Sequence, residues 1–220
     1  MKTALITGAN RGLGLELAKI FYKNGWRLIL HCRHEMPDIF EGAVVVHGDL
    51  TNPKTLVRLH ECVFNFGTLD LLINNAGVYQ NHKITIAGFA ELENVLQVNL
   101  HVPLRLIRLF WPFLKNTAGA VVNVNSLAGK AGADGELAYS ASKHGLAGIS
   151  QALQFDGSRD NIRILDICLG SMNTKMTEGR VLDKEKLINP VEVADLIFYL
   201  CVKKYNSLRI PELLVMRSRY

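Results

Sequence analysis

The sequence has few cysteines, and none stands at a spacing typical of a metal site or a redox motif. The four, Cys32, Cys62, Cys168 and Cys201, lie far apart, with no C-x-x-C pair and no Cys/His cluster. This spacing argues against the common zinc-binding patterns, and we predict no metal site. We expect buried free thiols, as in proteins of a reducing compartment such as the cytoplasm.

The chain also lacks the long apolar runs that cross a membrane. No stretch of about eighteen uncharged apolar residues occurs, so we expect no membrane span and no membrane partner. The first apolar run, which ends at Thr7-Gly8, is too short for the core of a signal peptide. We therefore expect a soluble, cytoplasmic protein.

No linker, low-complexity tract or internal repeat divides the sequence. Its 220 residues, 49% of them hydrophobic, suffice for one sizeable core, so we predict a single domain over residues 1–220. The net charge of +5 is modest and its sources are dispersed, whereas nucleic-acid binders usually concentrate basic charge on one face. We rank nucleic-acid binding lowest and consider the charge compatible with an anionic cofactor or substrate.

A glycine-rich turn joins the first predicted strand to a helix. The strand at residues 2–7 runs into TGANRGLG, Thr7 to Gly14, and a helical pattern follows. Gly8 permits a tight turn out of the strand, Gly12 lets the backbone approach a pyrophosphate, and Gly14 lets the helix pack close to the sheet. The positive helix N-terminus would then face the phosphates. This order of elements favours dinucleotide binding over a plain tight turn.

The end of the second predicted strand bears on the choice of cofactor. Where NAD-preferring folds place an acid, about twenty residues past the glycines, this chain has Cys32 and Arg33. Arg33 could pair with a 2′-phosphate, and Arg11 in the glycine turn could add a second positive charge. A solvated side chain is the alternative for each arginine alone. We predict NADP(H) as the preferred cofactor, with NAD(H) as the alternative.

Apolar strands alternate with helical patterns along the chain. After the first strand, further strands are predicted at residues 26–31, 44–47, 69–73, 120–125, 162–168 and 213–216. Such alternation is typical of right-handed βαβ units, so we predict an α/β fold with a Rossmann-type doubly wound parallel sheet of about seven strands and helices on both faces. Asp49, after the third strand, either accepts from an adenine amino group or closes its loop.

Two long helices are predicted in the second half. The first covers residues 87–114, with Asn99 in its middle and Pro103 as the residue that could kink it. Its apolar stripe either packs on the sheet, which we favour, or joins a subunit contact near Trp111. The second covers residues 138–154.

Tyr139 and Lys143 stand four residues apart at the start of the second long helix and share one face of it. A nearby ammonium lowers the pKa of a phenol, ordinarily about 10, and makes it usable for proton transfer at neutral pH. Taken alone, the pair is weak evidence, because this spacing is common in solvated helices.

Four sequence motifs occur along the chain in an order that resembles a known family. They are TGANRGLG, the NNAG at Asn74 to Gly77, Ser126 after a strand, and YSASK at Tyr139 to Lys143. In combination over residues 2–174 they resemble the short-chain dehydrogenase/reductase family, in its compact branch with TGxxxGxG spacing. The resemblance implies an oxidoreductase that transfers a hydride between nicotinamide and a carbonyl or hydroxyl. With the cofactor preference predicted above, we expect an NADP-dependent enzyme that acts on a small to medium polar substrate.

The resemblance also implies roles for individual residues. Tyr139 would be the general acid/base, and Lys143 would lower its pKa and hold the nicotinamide ribose. Ser126 would bond the substrate oxygen, and Asn99 would hold a water that passes protons from Lys143 to solvent. The cofactor set would be Gly8, Asn10, Arg11, Gly12, Leu13, Gly14, Arg33, Asp49, Leu50, Asn75, Ala76, Gly77, Asn99, Tyr139, Lys143 and Thr174.

Several features depart from the family pattern. Leu169 replaces the usual proline before Gly170; we expect Thr174, at the position that contacts the nicotinamide carboxamide, to keep that contact. Only about fourteen residues separate Thr174 from the next helix, and a short polar segment suggests an open site or one that orders on binding. The charged residues of this segment are Lys175, Glu178, Arg180, Asp183, Lys184, Glu185 and Lys186.

The family's usual glycine-rich ending is missing after the last predicted strand, which argues against its usual tetramer. We therefore predict a homodimer through the two long helices, with a tetramer as the alternative. A different functional class is an NADP-binding regulatory or scaffold protein without turnover. Such proteins commonly lose an acid/base residue, and none is missing here, so an enzyme is favoured.

Overall fold

The computed structural model describes residues 1–178, 186–202 and 208–217. Most of the charged segment after Thr174, including Arg180 and Asp183 to Glu185, lies outside the described residues. Lys175, Glu178 and Lys186 are within them.

A seven-stranded parallel sheet forms the centre of the molecule. Its strand order is β3-β2-β1-β4-β5-β6-β7, and every neighbouring pair is parallel. The strands are β1 (Thr3–Thr7), β2 (Arg27–Cys32), β3 (Val44–His47), β4 (Leu71–Asn74), β5 (Ala120–Ser126), β6 (Arg163–Leu169) and β7 (Glu212–Val215). Each predicted strand is present within about two residues of its predicted bounds. The doubly wound α/β fold is therefore confirmed.

Helices cover both faces of the sheet. They are α1 (Gly12–Lys23), α2 (Pro53–Phe66), α3 (Phe89–Leu96), α4 (Val102–Thr117), α5 (Leu137–Asp160) and α6 (Pro190–Val202). Residues of α1 and α6, including Phe21 and Ile197, pack into one apolar cluster, and residues of α2 and α4, including Leu59 and Phe110, pack into the other. Truncating a buried phenylalanine such as Phe110 would cost about 3–5 kcal/mol.

The predicted helix over residues 87–114 is not one regular helix. Between α3 and α4 lies a π-helical turn, Gln97–His101, in which the N–H of Val102 bonds the carbonyl of Gln97, five residues earlier. Pro103 has no N–H, so the α-helical bond to the carbonyl of Asn99, four residues earlier, cannot form. The irregularity therefore precedes the proline and falls on Asn99.

The apolar stripe of α4 packs mainly into the core, as predicted. Val102 and Leu106 are buried beneath the sheet, while Trp111 is half-buried and donates its indole N–H to Asp160 at the end of α5, 2.7 Å away. This bond joins α4 to α5 within one chain.

The four cysteines are free thiols, and three of them are buried, whereas Cys62 is only half-buried. Burial raises the pKa of the Cys168 and Cys201 thiols to about 12, so both stay protonated at neutral pH. In the described part of the chain, no helix combines the length and apolar character needed to cross a bilayer.

Candidate active site

A cavity of about 930 Å³ opens at the carboxyl ends of the strands, where β1 and β4 lie side by side. The chain leaves these neighbouring strands toward opposite halves of the sheet, and such a switch point is where doubly wound folds bind ligands. Fifteen of the sixteen predicted cofactor residues line it, and so does Ser126. They are Gly8, Asn10, Arg11, Gly12, Leu13, Gly14, Arg33, Asp49, Leu50, Asn75, Ala76, Gly77, Tyr139, Lys143 and Thr174.

The glycine turn has the backbone shape that its sequence predicts. Gly8 has a φ of 66°, a conformation that favours glycine. A Cβ on Gly14 would lie 2.1 Å from the carbonyl oxygen of Gly8, so only glycine lets α1 start this close to the turn. The Asn75 side chain bonds the carbonyls of Thr7 and Gly8 at 2.9 and 3.1 Å and holds the turn in place.

Thr174 lies beside this turn. A Cβ on Gly12 would be 3.3 Å from Cγ2 of Thr174, which places the threonine near the start of α1. Leu169, in place of the family's proline, ends β6 and pairs in register with Ser126 and Val215. A proline there would lack the N–H that a strand residue offers its neighbour. The substitution therefore leaves β6 intact up to the edge of the cavity.

At the other end of the cavity, Arg33 and Asp49 form an exposed ion pair, with Nη1 and Oδ2 3.8 Å apart. The other carboxylate oxygen of Asp49 accepts from the N–H and the hydroxyl of Thr51, both at 2.8 Å. These hydrogen bonds, with the charge of Arg33, hold the pKa of Asp49 below its usual value. Of the two alternatives for Asp49, loop closure is present; contact with an adenine stays a prediction.

Lys143 is buried one turn after Tyr139 on α5. Its Nζ lies 5.8 Å from the centroid of the Tyr139 ring and donates to the carbonyl of Val124, 3.0 Å away. Burial lowers the pKa of Lys143 to about 8, although the charge of Asp166 acts in the opposite direction. At pH 7 the amine is therefore mostly protonated, and its charge is held against the phenol.

Ser126 ends β5 at the floor of the cavity. Its Oγ accepts from the N–H of Ala128 at 3.1 Å, which fixes the oxygen while its own hydrogen can be donated. Strand β5 therefore delivers this hydroxyl to the same cavity that receives Tyr139 from α5.

Asn99 lies behind the cavity wall, with its side chain engaged. Its Oδ1 accepts from Val78 N–H at 2.9 Å, and its Nδ2 donates to the Val78 carbonyl at 2.8 Å and to Ser142 at 3.2 Å. The amide thus holds the loop after β4 against α5. Both N–H groups of the amide are therefore engaged.

Sequence reasoning missed Tyr79 and Glu136, which also line the cavity. The Tyr79 hydroxyl donates to Oε1 of Glu136 at 2.6 Å, and its ring packs edge-on against that of Tyr139, with centroids 5.0 Å apart. The first pair is 57 residues apart in sequence and belongs to no motif. Only the tertiary fold brings these side chains together.

The family model for short chain dehydrogenases matches residues 2–185. The chain belongs to this family. It is thus an oxidoreductase of a family that works with nicotinamide cofactors. Among the described residues, no group of three or more His, Cys, Asp or Glu side chains could hold a metal ion.

The relatives of the chain include proteins named as dehydrogenases and reductases. It is 30% identical over 187 residues to an L-fucose dehydrogenase of Mus musculus, covering 80% of this chain and 67% of that protein. It is 30% identical over 195 residues to a 3-oxoacyl-[acyl-carrier-protein] reductase of Chlamydia muridarum, covering 81% and 77%. An uncharacterized oxidoreductase of Staphylococcus epidermidis is 27% identical over 206 residues and 90% of each chain.

Solved structures share the fold at low identity. An alcohol dehydrogenase from Thermococcus sibiricus, complexed with 5-hydroxy-NADP, has a TM-score of 0.87 at 24% identity and covers 100% of this chain and 97% of that chain. A 3-ketoacyl-(acyl-carrier-protein) reductase from Brucella melitensis, complexed with NADH, has a TM-score of 0.89 at 22% identity and covers 97% and 96%.

Proposed function

We propose that this short-chain dehydrogenase is an NADPH-dependent carbonyl reductase, or in reverse an alcohol dehydrogenase, with Tyr139 as its general acid/base. One observation carries the proposal: Ser126, Tyr139 and Lys143 face the cavity that also holds the glycine turn. The turn's positive φ at Gly8 and the close approach at Gly14 leave a backbone cradle that fits a dinucleotide pyrophosphate. When bound, the nicotinamide would supply or accept the hydride.

The residues of the chain would handle the proton and the charge. Reduction of a carbonyl develops negative charge on its oxygen, and a hydroxyl pair placed at that oxygen stabilises the charge. Ser126 would donate one hydrogen bond, and Tyr139 would donate the proton itself. The buried ammonium of Lys143 would favour the phenolate that remains, because an opposite charge nearby stabilises the ionised form.

Reprotonation of Tyr139 requires a path to solvent. Because Pro103 lacks an N–H, the carbonyl of Asn99 has no α-helical partner four residues later. We assign to this carbonyl the water-binding role that the family resemblance gave to Asn99. The engaged side-chain amide supports this assignment, since its bonds to Val78 and Ser142 fix the main chain of the turn.

The preference for NADPH rests on charge at the adenosine end. Arg33 and Arg11 both line the cavity, and Cys32 stands where an NAD-preferring fold places an acid. The structural neighbours include complexes with both an NADP derivative and NADH. The preference for NADPH is therefore supported by the two arginines and not by the structural neighbours.

The substrate would be a small to medium polar molecule. The lining of the cavity also includes apolar Met172 and Met216 and the hydrogen-bonded pair Tyr79 and Glu136. An acceptor such as Glu136 suits a substrate that carries hydroxyl groups as well as the reacting carbon. A sugar substrate, as the name of the L-fucose dehydrogenase relative indicates for that protein, is compatible with this lining.

We also propose that the protein is a cytoplasmic homodimer. Both long helices expose large apolar side chains, with Leu104 of α4 45% exposed and Phe155 of α5 73% exposed. Covering such side chains against a second copy would remove apolar surface from water.

Two measurements test the proposed function: turnover by the native protein, and turnover by a variant that lacks the Tyr139 hydroxyl. Purified protein is expected to oxidise NADPH with at least one member of a panel of ketones, aldehydes and sugar-derived carbonyls. Tyr139→Phe should lower kcat by about 10²-fold or more while NADPH still binds. Tyr22→Phe, a tyrosine 37% exposed on α1, is the matched control. No turnover across the panel, or full activity in Tyr139→Phe, would reject the proposal.

A further inference from the structure

The side chain of Asn125 contacts the main chain of two residues of the proposed catalytic set. Its Oδ1 accepts from the N–H of Ser126 at 2.8 Å, and its Nδ2 donates to the carbonyl of Lys143 at 3.2 Å. The amide is only 3% exposed. It therefore joins the end of β5 to the first turns of α5 at the place where the serine and the lysine enter the site.

Asp166 on β6 holds this amide in one orientation. Its two carboxylate oxygens lie 3.2 and 3.0 Å from Nδ2 of Asn125, and the carboxylate is 1% exposed. Flipping the amide would place Oδ1 of Asn125 against the Asp166 carboxylate and the Lys143 carbonyl. These groups are acceptors, so the flipped arrangement would lose its hydrogen bonds and add repulsion.

Two further contacts pack closely around the bond between Asn125 and Lys143. A Cβ on Gly129 would lie 2.8 Å from the carbonyl of Lys143 and 3.1 Å from Oδ1 of Asn125. Lys143 is also held from its other end, because its Nζ donates to the carbonyl of Val124. Two consecutive residues of β5, Val124 and Asn125, thus bind the serine's N–H, the lysine's carbonyl and the lysine's amine.

We propose that Asn125, oriented by Asp166, is a positioning residue that fixes Ser126 and Lys143 relative to each other for the reaction. The proposal rests on the proposed function, since it assumes that these two residues act on one substrate. Asn125 itself would not exchange a proton with the substrate. Its contribution is geometric, and an error of about 1 Å in such a site can cost about 10²-fold in rate.

The charge of Asp166 has a second consequence at the same site. The groups that face it are Asn125 from β5, Cys168 from β6, Glu212 from β7, Lys130 from the turn after β5, and Lys143 and Ser150 from α5. Desolvation raises the pKa of Asp166, while the bond from Asn125 favours its ionised form. Substitution of Asn125 therefore removes a hydrogen bond that favours the ionised form of Asp166.

Asn123 provides a matched control on the same strand. It is fully buried like Asn125, but its amide bonds Asn74 and Ser150, at 2.8 and 2.9 Å, and neither bond reaches the main chain of Ser126 or Lys143. Serine substitution at either position removes the same atoms from an equally buried site. A general effect on core stability would therefore appear in both variants.

Steady-state kinetics and amide hydrogen exchange together test the proposal. Asn125→Ser is expected to lower kcat by about 10²-fold, with KM and NADPH affinity within about threefold of the native protein. Asn123→Ser should lose stability to a similar extent but keep kcat within about threefold. The double variant Asn125→Asp/Asp166→Asn restores the bond between these two side chains but has no donor for the Lys143 carbonyl, so its kcat should stay about tenfold or more below that of the native protein.

Exchange at the Ser126 amide separates this proposal from the proposed function. Loss of its acceptor in Asn125→Ser should speed exchange of that amide by about tenfold, while the amide of Val122 in the same strand stays protected. This readout needs no substrate, so it tests whether Asn125 holds Ser126 in place even if the native protein shows no turnover. Unchanged exchange at Ser126, or an equal loss of kcat in Asn123→Ser and Asn125→Ser, would overturn the proposal.

Discussion

Nη1 of Arg33 and Oδ2 of Asp49 lie 3.8 Å apart in the part of the cavity that we propose for the adenosine, and both side chains are about half exposed. An exposed pair at this distance contributes little to stability, since water screens it. A 2′-phosphate, with more charge and more acceptor oxygens, would compete with Asp49 for the guanidinium. The pair therefore leaves Arg33 available for the cofactor.

Removal of the guanidinium should weaken NADPH binding alone. Hydrogen bonds to charged groups contribute about 1.5–3 kcal/mol, so Arg33→Ala is expected to raise the Kd of NADPH about tenfold or more. The Kd of NADH should not change, because NADH has no 2′-phosphate. Isothermal titration with both cofactors would measure the effect, and Arg105→Ala, an exposed arginine on α4, is the control. Equal losses for the two cofactors would contradict a phosphate contact.

Removal of the Asp49 carboxylate, which competes for Arg33, should strengthen NADPH binding. In Asp49→Asn the side-chain oxygen can still accept from Thr51, so the loop keeps its closure. Without the negative charge next to Arg33, the Kd of NADPH should fall by about two- to threefold at low salt, and the change should shrink as salt is added. A weaker affinity for NADPH would show that Asp49 contributes to the cofactor site directly.

The buried amine of Lys143 predicts a pH-dependent stability. Its pKa is lowered from 10.5 to about 8 in the folded protein. Between these two values the unfolded chain binds more protons, so the free energy of unfolding should rise with pH across this window. Below about pH 8, burial of the charged amine lowers the free energy of unfolding by about 3 kcal/mol.

The comparison with Lys143→Met isolates this contribution. The free energy of unfolding of both proteins would be measured with denaturant from about pH 7 to 10.5. The difference between the two values should shrink by about 3 kcal/mol as the pH rises. Parallel stability curves would show that Lys143 does not titrate in this window when folded.

The apolar side chains of the long helices predict the assembly. Phe155 on α5 is 73% exposed, and Phe64 on α2 is 67% exposed, so the same substitution can be compared on two surfaces. If the dimer forms through α4 and α5, Phe155→Glu should yield monomers in sedimentation equilibrium while Phe64→Glu stays dimeric. A charge placed in a buried interface is costly, which is why a single substitution suffices. A native protein that sediments as a monomer would reject the dimer.

The parts of the site that sequence predicted are those built from contiguous residues. The glycine turn from Gly8 to Gly14 combines a strand end, a turn and a helix start within a few residues, and each step has its own local requirement. Tyr79 and Glu136 had no such signal, because their contact depends on how the loop after β4 meets the start of α5. Residues joined only by tertiary packing cannot be paired from spacing.

The π-helical turn at Asn99 was predictable from the sequence only in part. Pro103 is visible in the sequence and predicts a kink in the helix over residues 87–114. A proline, however, removes the hydrogen bond to the carbonyl four residues before it, and that carbonyl belongs to Asn99. The local rule was therefore sufficient to place the irregularity on a predicted site residue. Its π-helical form, set by the bond from Val102 to Gln97, could not be predicted.

Close packing of the glycine turn predicts a sharp difference between two glycines. A Cβ on Gly14 would lie 2.1 Å from the Gly8 carbonyl oxygen and 2.5 Å from Nδ2 of Asn75, and backbone cannot yield by that much without moving the turn. Gly14→Ala should therefore abolish measurable NADPH binding and lower the free energy of unfolding by about 1–3 kcal/mol. On α5, a Cβ on Gly148 would meet nothing within 4 Å. Because alanine is the better helix former, Gly148→Ala should raise the free energy of unfolding by up to about 1 kcal/mol and leave NADPH binding unchanged. If Gly14→Ala bound NADPH like the native protein, the backbone cradle could not be what holds the cofactor.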